Sequence, residues 1–274
     1  MTTDDPFALA VTAAEAVASL TGVERHDVAV VLGSGWGPAI DELGETVAEV
    51  PVTDIPGFPA PSAVGHAGTV RSMDAGGVKL LVFSGRIHLY EGHAPQRVAH
   101  GVRTAFHAGC RTIILTNACG GITEGLHVGE PVLVSDHINN TGVSSLTGPQ
   151  PPAPYASRFV DLTNAYSPRL RSIVRELDPS VQEGVYVGFH GPEYETPSEV
   201  KMAQLLGGDL VGMSTVLETM AARHLGMEVL GVSLVSNLAA GLSTVEITGD
   251  HVIEVAGASA GRIGRLLRQT IDRM

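Results

Sequence analysis

Basic side chains are scarce in this chain: 17 Lys and Arg stand against 29 Asp and Glu, a formal net charge of −12. A nucleic-acid polymer or an anionic membrane needs a positive face, so neither is expected as a partner. A small anion held by a few local donors is not excluded. Cysteine is nearly absent. Cys110 and Cys119 are the only two, and their spacing suits neither a metal site nor a redox pair, which predicts a reduced, cytoplasmic setting. The chain contains no run of roughly 18 apolar residues, so no membrane span is expected. Its opening, Met1-Thr2-Thr3-Asp4-Asp5-Pro6, is acidic and lacks the basic segment of a signal peptide. His-Glu-x-x-His and Cys-x-x-Cys are missing, so no metal is expected. Aromatics make up only 4% of the residues, but 44% are hydrophobic, enough for a full core.

The 33 glycines and 16 prolines suit a fold with many tight strand–helix junctions. Asp5-Pro6 predicts a helix over 6–20, ended by Gly22. Apolar runs predict strands at 28–32, 111–116, 132–134, 185–189, 210–211 and 229–235, and a hairpin pairs 69–73 with 79–83. Helices are predicted at 95–107, 198–206, 216–225 and 251–273. Strands this apolar need helices on both faces, and the hairpin adds antiparallel character. The expectation is an α/β fold with a twisted mixed, largely parallel sheet. Nothing marks a linker, so one domain spans 1–274, with 147–157 as a proline-rich surface excursion or subunit contact.

Val30-Val31-Leu32-Gly33-Ser34-Gly35-Trp36-Gly37-Pro38 carries the first chemical signal. An apolar strand runs into a glycine-rich turn with one hydroxyl, where backbone N–H groups could converge on an anion and a helix near Pro38 could aim its positive end. A plain strand-to-helix turn explains the same residues. The third glycine comes one residue early for the dinucleotide fingerprint, and no Gly-Lys-Ser/Thr follows as a P-loop requires. After the next buried strand come Arg86, His88 and Tyr90, two residues apart and on one face if the chain stays extended. A guanidinium fork matches an oxyanion. The alternative is a polar loop whose arginine pairs with a surface carboxylate.

Thr116-Asn117-Ala118-Cys119-Gly120-Gly121 repeats the strand-then-glycine grammar. Ser214, in Gly212-Met213-Ser214-Thr215, reads as a helix cap or an anion donor. Glu195 either supports the helix start at Pro197 or faces a ligand, and Asn237 is either a turn residue or a ligand contact. His66 reads by itself as a solvated loop histidine. Gly257-Ala258-Ser259-Ala260-Gly261 mimics a nucleophile elbow, but no strand precedes it and no histidine follows it. It is read as a packing patch on a helix.

Taken in order, Leu32-Gly33-Ser34-Gly35, Gly65-His66-Ala67-Gly68, Gly85-Arg86-Ile87-His88-Leu89-Tyr90-Glu91-Gly92, Asn117-Ala118-Cys119-Gly120-Gly121, Gly191-Pro192-Glu193-Tyr194-Glu195-Thr196, Gly212-Met213-Ser214-Thr215 and Ser236-Asn237-Leu238-Ala239-Ala240-Gly241 resemble the purine nucleoside phosphorylases of the trimeric class. The resemblance implies a homotrimer that reversibly phosphorolyses purine (deoxy)ribonucleosides in salvage, with inorganic phosphate as co-substrate and no cofactor. It implies that Ser34, His66, Arg86, His88, Ala118 and Ser214 surround phosphate. Tyr90, Met213 and His251 then contact ribose, while Tyr194, Glu195 and Asn237 contact the purine. It further implies that Asn237, Glu195 and His88 carry the catalysis, and that Tyr155 closes a neighbouring subunit's pocket. Tyr155 and Tyr194 stand where some members carry Phe, Cys119 where many carry Ala, and Ser236 where many carry Thr.

Asn237 and Glu195 together fit 6-oxopurines, inosine and guanosine, better than adenosine. Two other readings are a methylthioadenosine phosphorylase, against which His251 speaks, and a nucleoside-binding module without turnover. An NAD enzyme, with an acid at Val47-Ala48-Glu49-Val50 after a second strand, fails on the glycine spacing.

Overall fold

The computed structural model describes residues 5–60, 67–148, 150–152, 155, 157–243 and 248–274. Its strands are β1 (Val28–Leu32), β2 (Glu45–Pro51), β3 (Thr69–Ala75), β4 (Val78–Ser84), β5 (Thr112–Gly121), β6 (Pro131–Asn139), β7 (Gln182–Gly188), β8 (Leu210–Gly212) and β9 (Glu228–Leu238). Its helices are α1 (Pro6–Thr21), α2 (Pro95–Val98), α3 (His100–His107), α4 (Pro168–Leu177), α5 (Pro197–Leu205), α6 (Val216–His224) and α7 (Gly249–Ile271).

The strands form one mixed sheet in the order β2-β3-β4-β1-β5-β8-β7-β6-β9. β5 and β9 also pair directly, so five strands close into a ring at one end. The apolar strands bury both faces, and successive residues serve different cores. Val31, Leu81, Ile113 and Leu115 pack with Val17 of α1, Val102 and Ala105 of α3 and Leu217 and Ala221 of α6. Val30, Leu32, Leu80, Val82 and Ile114 pack with Leu170 and Val174 of α4 and Ile263 and Leu267 of α7.

Three local expectations change. The predicted helix 95–107 breaks at Ala99 (φ −88°, ψ 8°), where Arg103 Nη1 donates to the Gln96 carbonyl at 2.7 Å. No α-helix follows the glycine turn after β1. A short 3-10 segment, Gly37–Glu42, runs there instead, because Trp36 is buried and its indole N–H is tied to the Asn117 carbonyl at 3.0 Å. The chain after β4 does not stay extended to Tyr90, which lies in a 3-10 turn, Leu89–Glu91. Among the described residues, no helix is long and apolar enough to cross a membrane.

One buried polar contact makes stability depend on pH. His26 is 2% exposed, its Nε2 lies 2.6 Å from Ser72 Oγ, and burial lowers its pKa to about 4 from the ordinary 6.5. The folded chain keeps this imidazole neutral where the unfolded chain protonates it. Stability is therefore full above about pH 6.5 and is lost as pH falls toward about 4. At pH 4.5 the loss from His26 alone is about 2–3 kcal/mol. Urea unfolding at pH 7 and 4.5 should show a smaller acid penalty in His26→Gln than in the parent. Equal penalties would remove His26 from the acid response.

Candidate functional site

A cleft with about 690 Å³ of empty space opens at the C-terminal ends of the strands, where open α/β sheets place ligands. Its wall brings together Ser34, Arg86, His88, Tyr90, Ala118, Tyr194, Glu195, Met213, Ser214 and Asn237, contributed by segments spread over 200 positions of sequence.

The glycine turn after β1 forms one corner. Gly33 is required by close approach: a Cβ there would lie 2.8 Å from both Arg86 Nη1 and the Thr116 carbonyl. Its N–H donates to Thr116 Oγ1 at 3.0 Å, and that hydroxyl donates to the Val31 carbonyl at 2.9 Å. Gly35 adopts φ 76°, and a Cβ there would run into Ala256 of α7. The turn is thereby locked between β5 and α7 with Ser34 at its tip.

Arg86 is almost wholly buried. Its Nη1 donates to the Thr116 carbonyl at 2.6 Å, and its Nε pairs with Glu218 of α6 at 3.1 Å. The carboxylate partner is thus a buried group of the site itself, not the surface residue of the polar-loop alternative. His88 Nδ1 lies 3.2 Å from Glu91, which also accepts the His88 backbone N–H at 2.6 Å. The Tyr90 ring stacks on His88 at 4.7 Å and 12°. Burial, and then the Glu91 carboxylate, push the Tyr90 phenol up to about 12, so it is a neutral donor at physiological pH.

The helix start at the cleft is that of α6. Thr215 is its cap, and Ser214 stands one residue outside, so Ser214 faces the cleft without capping. Thr215 has φ 69° and ψ −47°, with the Val216 N–H bonded to the Ser214 carbonyl at 2.7 Å. This is the rare positive-φ γ-turn, strained by about 1–3 kcal/mol and worse for a β-branched residue. Asn117 Nδ2 holds Thr215 Oγ1 at 2.9 Å, and Glu218 Oε2 accepts the Thr215 N–H at 2.9 Å.

At the other end, Glu195 is 8% exposed, and its Oε1 has no partner among the described residues. Burial raises its pKa. It is not needed to start α5, because Thr196 and Glu199 form that capping box. Asn237 sits within β9 rather than in a turn. Its Oδ1 accepts from Ser236 Oγ at 2.9 Å and its Nδ2 donates to the Leu238 carbonyl at 3.1 Å.

Two expected residues, His251 and Tyr155, are not part of the cleft wall. His251 lies in the first turn of α7, its N–H 3.3 Å from Thr248 Oγ1, and the cleft wall is reached by its neighbour Val252. Tyr155 packs its ring at a tilt of 42° against Phe7 of its own chain, centroids 4.5 Å apart, and bonds His107 Nε2 at 2.5 Å. His66 lies outside the described residues. Ser259, from the mimic elbow, sits inside α7 and donates to the Gly129 carbonyl at 3.1 Å. Sequence reasoning missed Glu218 and the cap at Thr215. Their signal was the Thr-x-x-Glu spacing of a capping box.

The family model of the phosphorylase superfamily matches residues 27–272. A purine nucleoside phosphorylase of Cellulomonas sp is 54% identical, over 98% of this chain and 94% of its own. That of Mycobacterium tuberculosis is 52% identical over 98% and 97%. The purine nucleoside phosphorylase of Schistosoma mansoni, solved with inosine and separately with adenosine, superposes with a TM-score of 0.88 at 32% identity, covering 97% of this chain and 96% of that one.

Proposed function

Because this chain belongs to the phosphorylase superfamily, among its purine nucleoside phosphorylases, we propose that it acts on 6-oxopurine nucleosides. Inosine and guanosine, with their 2′-deoxy forms, are the substrates, and free base and (deoxy)ribose 1-phosphate are the products. The observation that carries this is Glu195, a buried carboxylate with one oxygen unpartnered among the described residues, in the same cleft as Asn237 and the Ser34–Arg86–Ser214 corner. A buried acceptor of this kind is costly unless a ligand supplies the donor. Hypoxanthine and guanine supply one at N1–H, and guanine a second at its 2-amino group. Adenine presents a bare N1 lone pair there.

Breaking the N-glycosidic bond builds positive charge on the sugar and negative charge on the departing base. Catalysis is then positioning plus electrostatics. Phosphate held by Ser34, Arg86, His88, the Ala118 backbone and Ser214, with His66 beside it, attacks C1′ as the C1′–N9 bond breaks, and the bond electrons pass to the purine. Asn237 Nδ2 donates to O6 or N7 as that charge grows, and Glu195 holds the opposite edge. Tyr90 and Met213 bracket the ribose, with His251 toward its 5′-hydroxyl, and Tyr194 flanks the base. Inorganic phosphate is a co-substrate, and neither cofactor nor metal takes part. The working unit is a homotrimer in which Tyr155 approaches the neighbouring site. The setting is cytoplasmic purine salvage, consistent with Cys110 and Cys119 being free and buried.

The test is phosphate-dependent release of hypoxanthine from inosine by purified protein, beside adenosine and methylthioadenosine. Turnover is the measure, since the Schistosoma mansoni relative is solved with adenosine as well as inosine. Inosine should exceed adenosine in kcat/KM by on the order of 10⁴-fold. Equal turnover of the two would end the 6-oxopurine reading. Val252 in the wall gives an apolar 5′-group a surface, so preference for methylthioadenosine is the second outcome to measure.

A further inference from the structure

A single buried carboxylate ties together two parts of the anion corner that are 128 residues apart in the chain, Arg86 and Ser214. Glu218 Oε1 lies 3.1 Å from Arg86 Nε, while Oε2 accepts the Thr215 N–H at 2.9 Å. The Arg86 and Glu218 side chains are 5% and 4% exposed. With Nη1 fixed on Thr116, two edges of the guanidinium are set by the protein before any ligand arrives. On the other side, the direction of Ser214 depends on the γ-turn at Thr215. That turn persists only because its surroundings over-determine it: Asn117 on its hydroxyl, Glu218 on its N–H.

We propose that Glu218 is a positioning residue for phosphorolysis, holding Arg86 and the Ser214–Thr215 turn in the register that aligns phosphate with C1′. This role presupposes the phosphorolytic reading above. It predicts an unusual kinetic pattern. Removing the carboxylate takes a negative charge from beside the bound anion, which alone would tighten phosphate. Alignment is reported by kcat, and small misplacements of a nucleophile cost on the order of 10–100-fold.

The experiment measures Glu218→Gln at saturating phosphate with inosine, alongside the number of hypoxanthine sites per chain by calorimetry. Expected is a kcat reduced at least about fivefold, with KM for phosphate unchanged or lower, and with hypoxanthine sites and KM for inosine within about twofold. Glu218→Asp keeps the charge but is one methylene too short to span both groups. It should lower kcat in the same way, and it decides the matter where the glutamine variant does not fold. A smaller loss of kcat in a folded variant with intact sites overturns the proposal. So does a kcat loss matched by an equal loss of hypoxanthine sites, or failure of both variants to fold, since each leaves Glu218 only a scaffold role. If the unsubstituted chain binds hypoxanthine but cleaves no inosine with phosphate, the phosphorolytic reading itself fails, and this is read before any variant is made.

Discussion

Asn237→Asp should invert the base preference, lowering the inosine-to-adenosine ratio of kcat/KM by on the order of 10³-fold. On the proposed reading the amide donates to O6 or N7 of a 6-oxopurine, and its orientation is set by both of its neighbours. Ser236 Oγ donates to Oδ1 and Nδ2 donates to the Leu238 carbonyl, so the oxygen and nitrogen are not interchangeable there. A carboxylate keeps the Ser236 contact but has no proton for O6, and it turns an acceptor toward the Leu238 carbonyl. Toward adenine the change is favourable, because the 6-amino group is a donor. A second effect acts in the same direction. Burial already raises the Glu195 pKa, and a second carboxylate in the same cleft raises it further. A protonated Glu195 can donate to the bare N1 of adenine. Steady-state kinetics on both nucleosides is the measurement, and an unchanged ratio would remove Asn237 from base recognition.

The parts of this site legible in the sequence are those where local backbone chemistry dictates the residue. Gly33 and Gly35 stand where neighbouring atoms leave no room for a Cβ, so the turn carried its signal in composition. The buried strands were legible as continuous apolar runs because both of their faces are covered. Two elements lacked such a signal. β2 lies at the sheet edge with mostly exposed side chains, so no continuous apolar run marks it. α4 is rich in arginine, and only Leu170 and Val174 are buried among its ten residues. Long-range choices were illegible for another reason. That Glu218, not a surface acid, pairs with Arg86 follows from α6 packing against β4's outgoing loop, 132 residues away. The ring closure by β5 and β9 is likewise a register property, with a bulge between Cys119 and Gly120 against β9. Pattern alone does not encode either.

Arg86→Met should cost about 3–5 kcal/mol of stability in addition to abolishing efficient use of phosphate. The stability cost comes from what stays behind. Glu218 would remain buried with only the Thr215 N–H to satisfy it, and the Thr116 carbonyl would lose its 2.6 Å donor. Breaking one side of a buried pair is costly because the surviving charge is uncompensated, whereas replacing both sides is often nearly neutral. The double variant Arg86→Met/Glu218→Gln should therefore regain much of the lost stability, since a glutamine oxygen still accepts from Thr215. It should regain none of the activity, since the guanidinium is gone. Urea unfolding of both variants, read beside phosphate-dependent cleavage of inosine, separates the two roles. If Arg86→Met unfolds within about 1 kcal/mol of the parent, the buried pair does not hold the corner together. Recovery of stability without activity would show one ion pair serving two ends: the guanidinium is present for the anion, and the carboxylate makes it possible to keep that charge inside the fold.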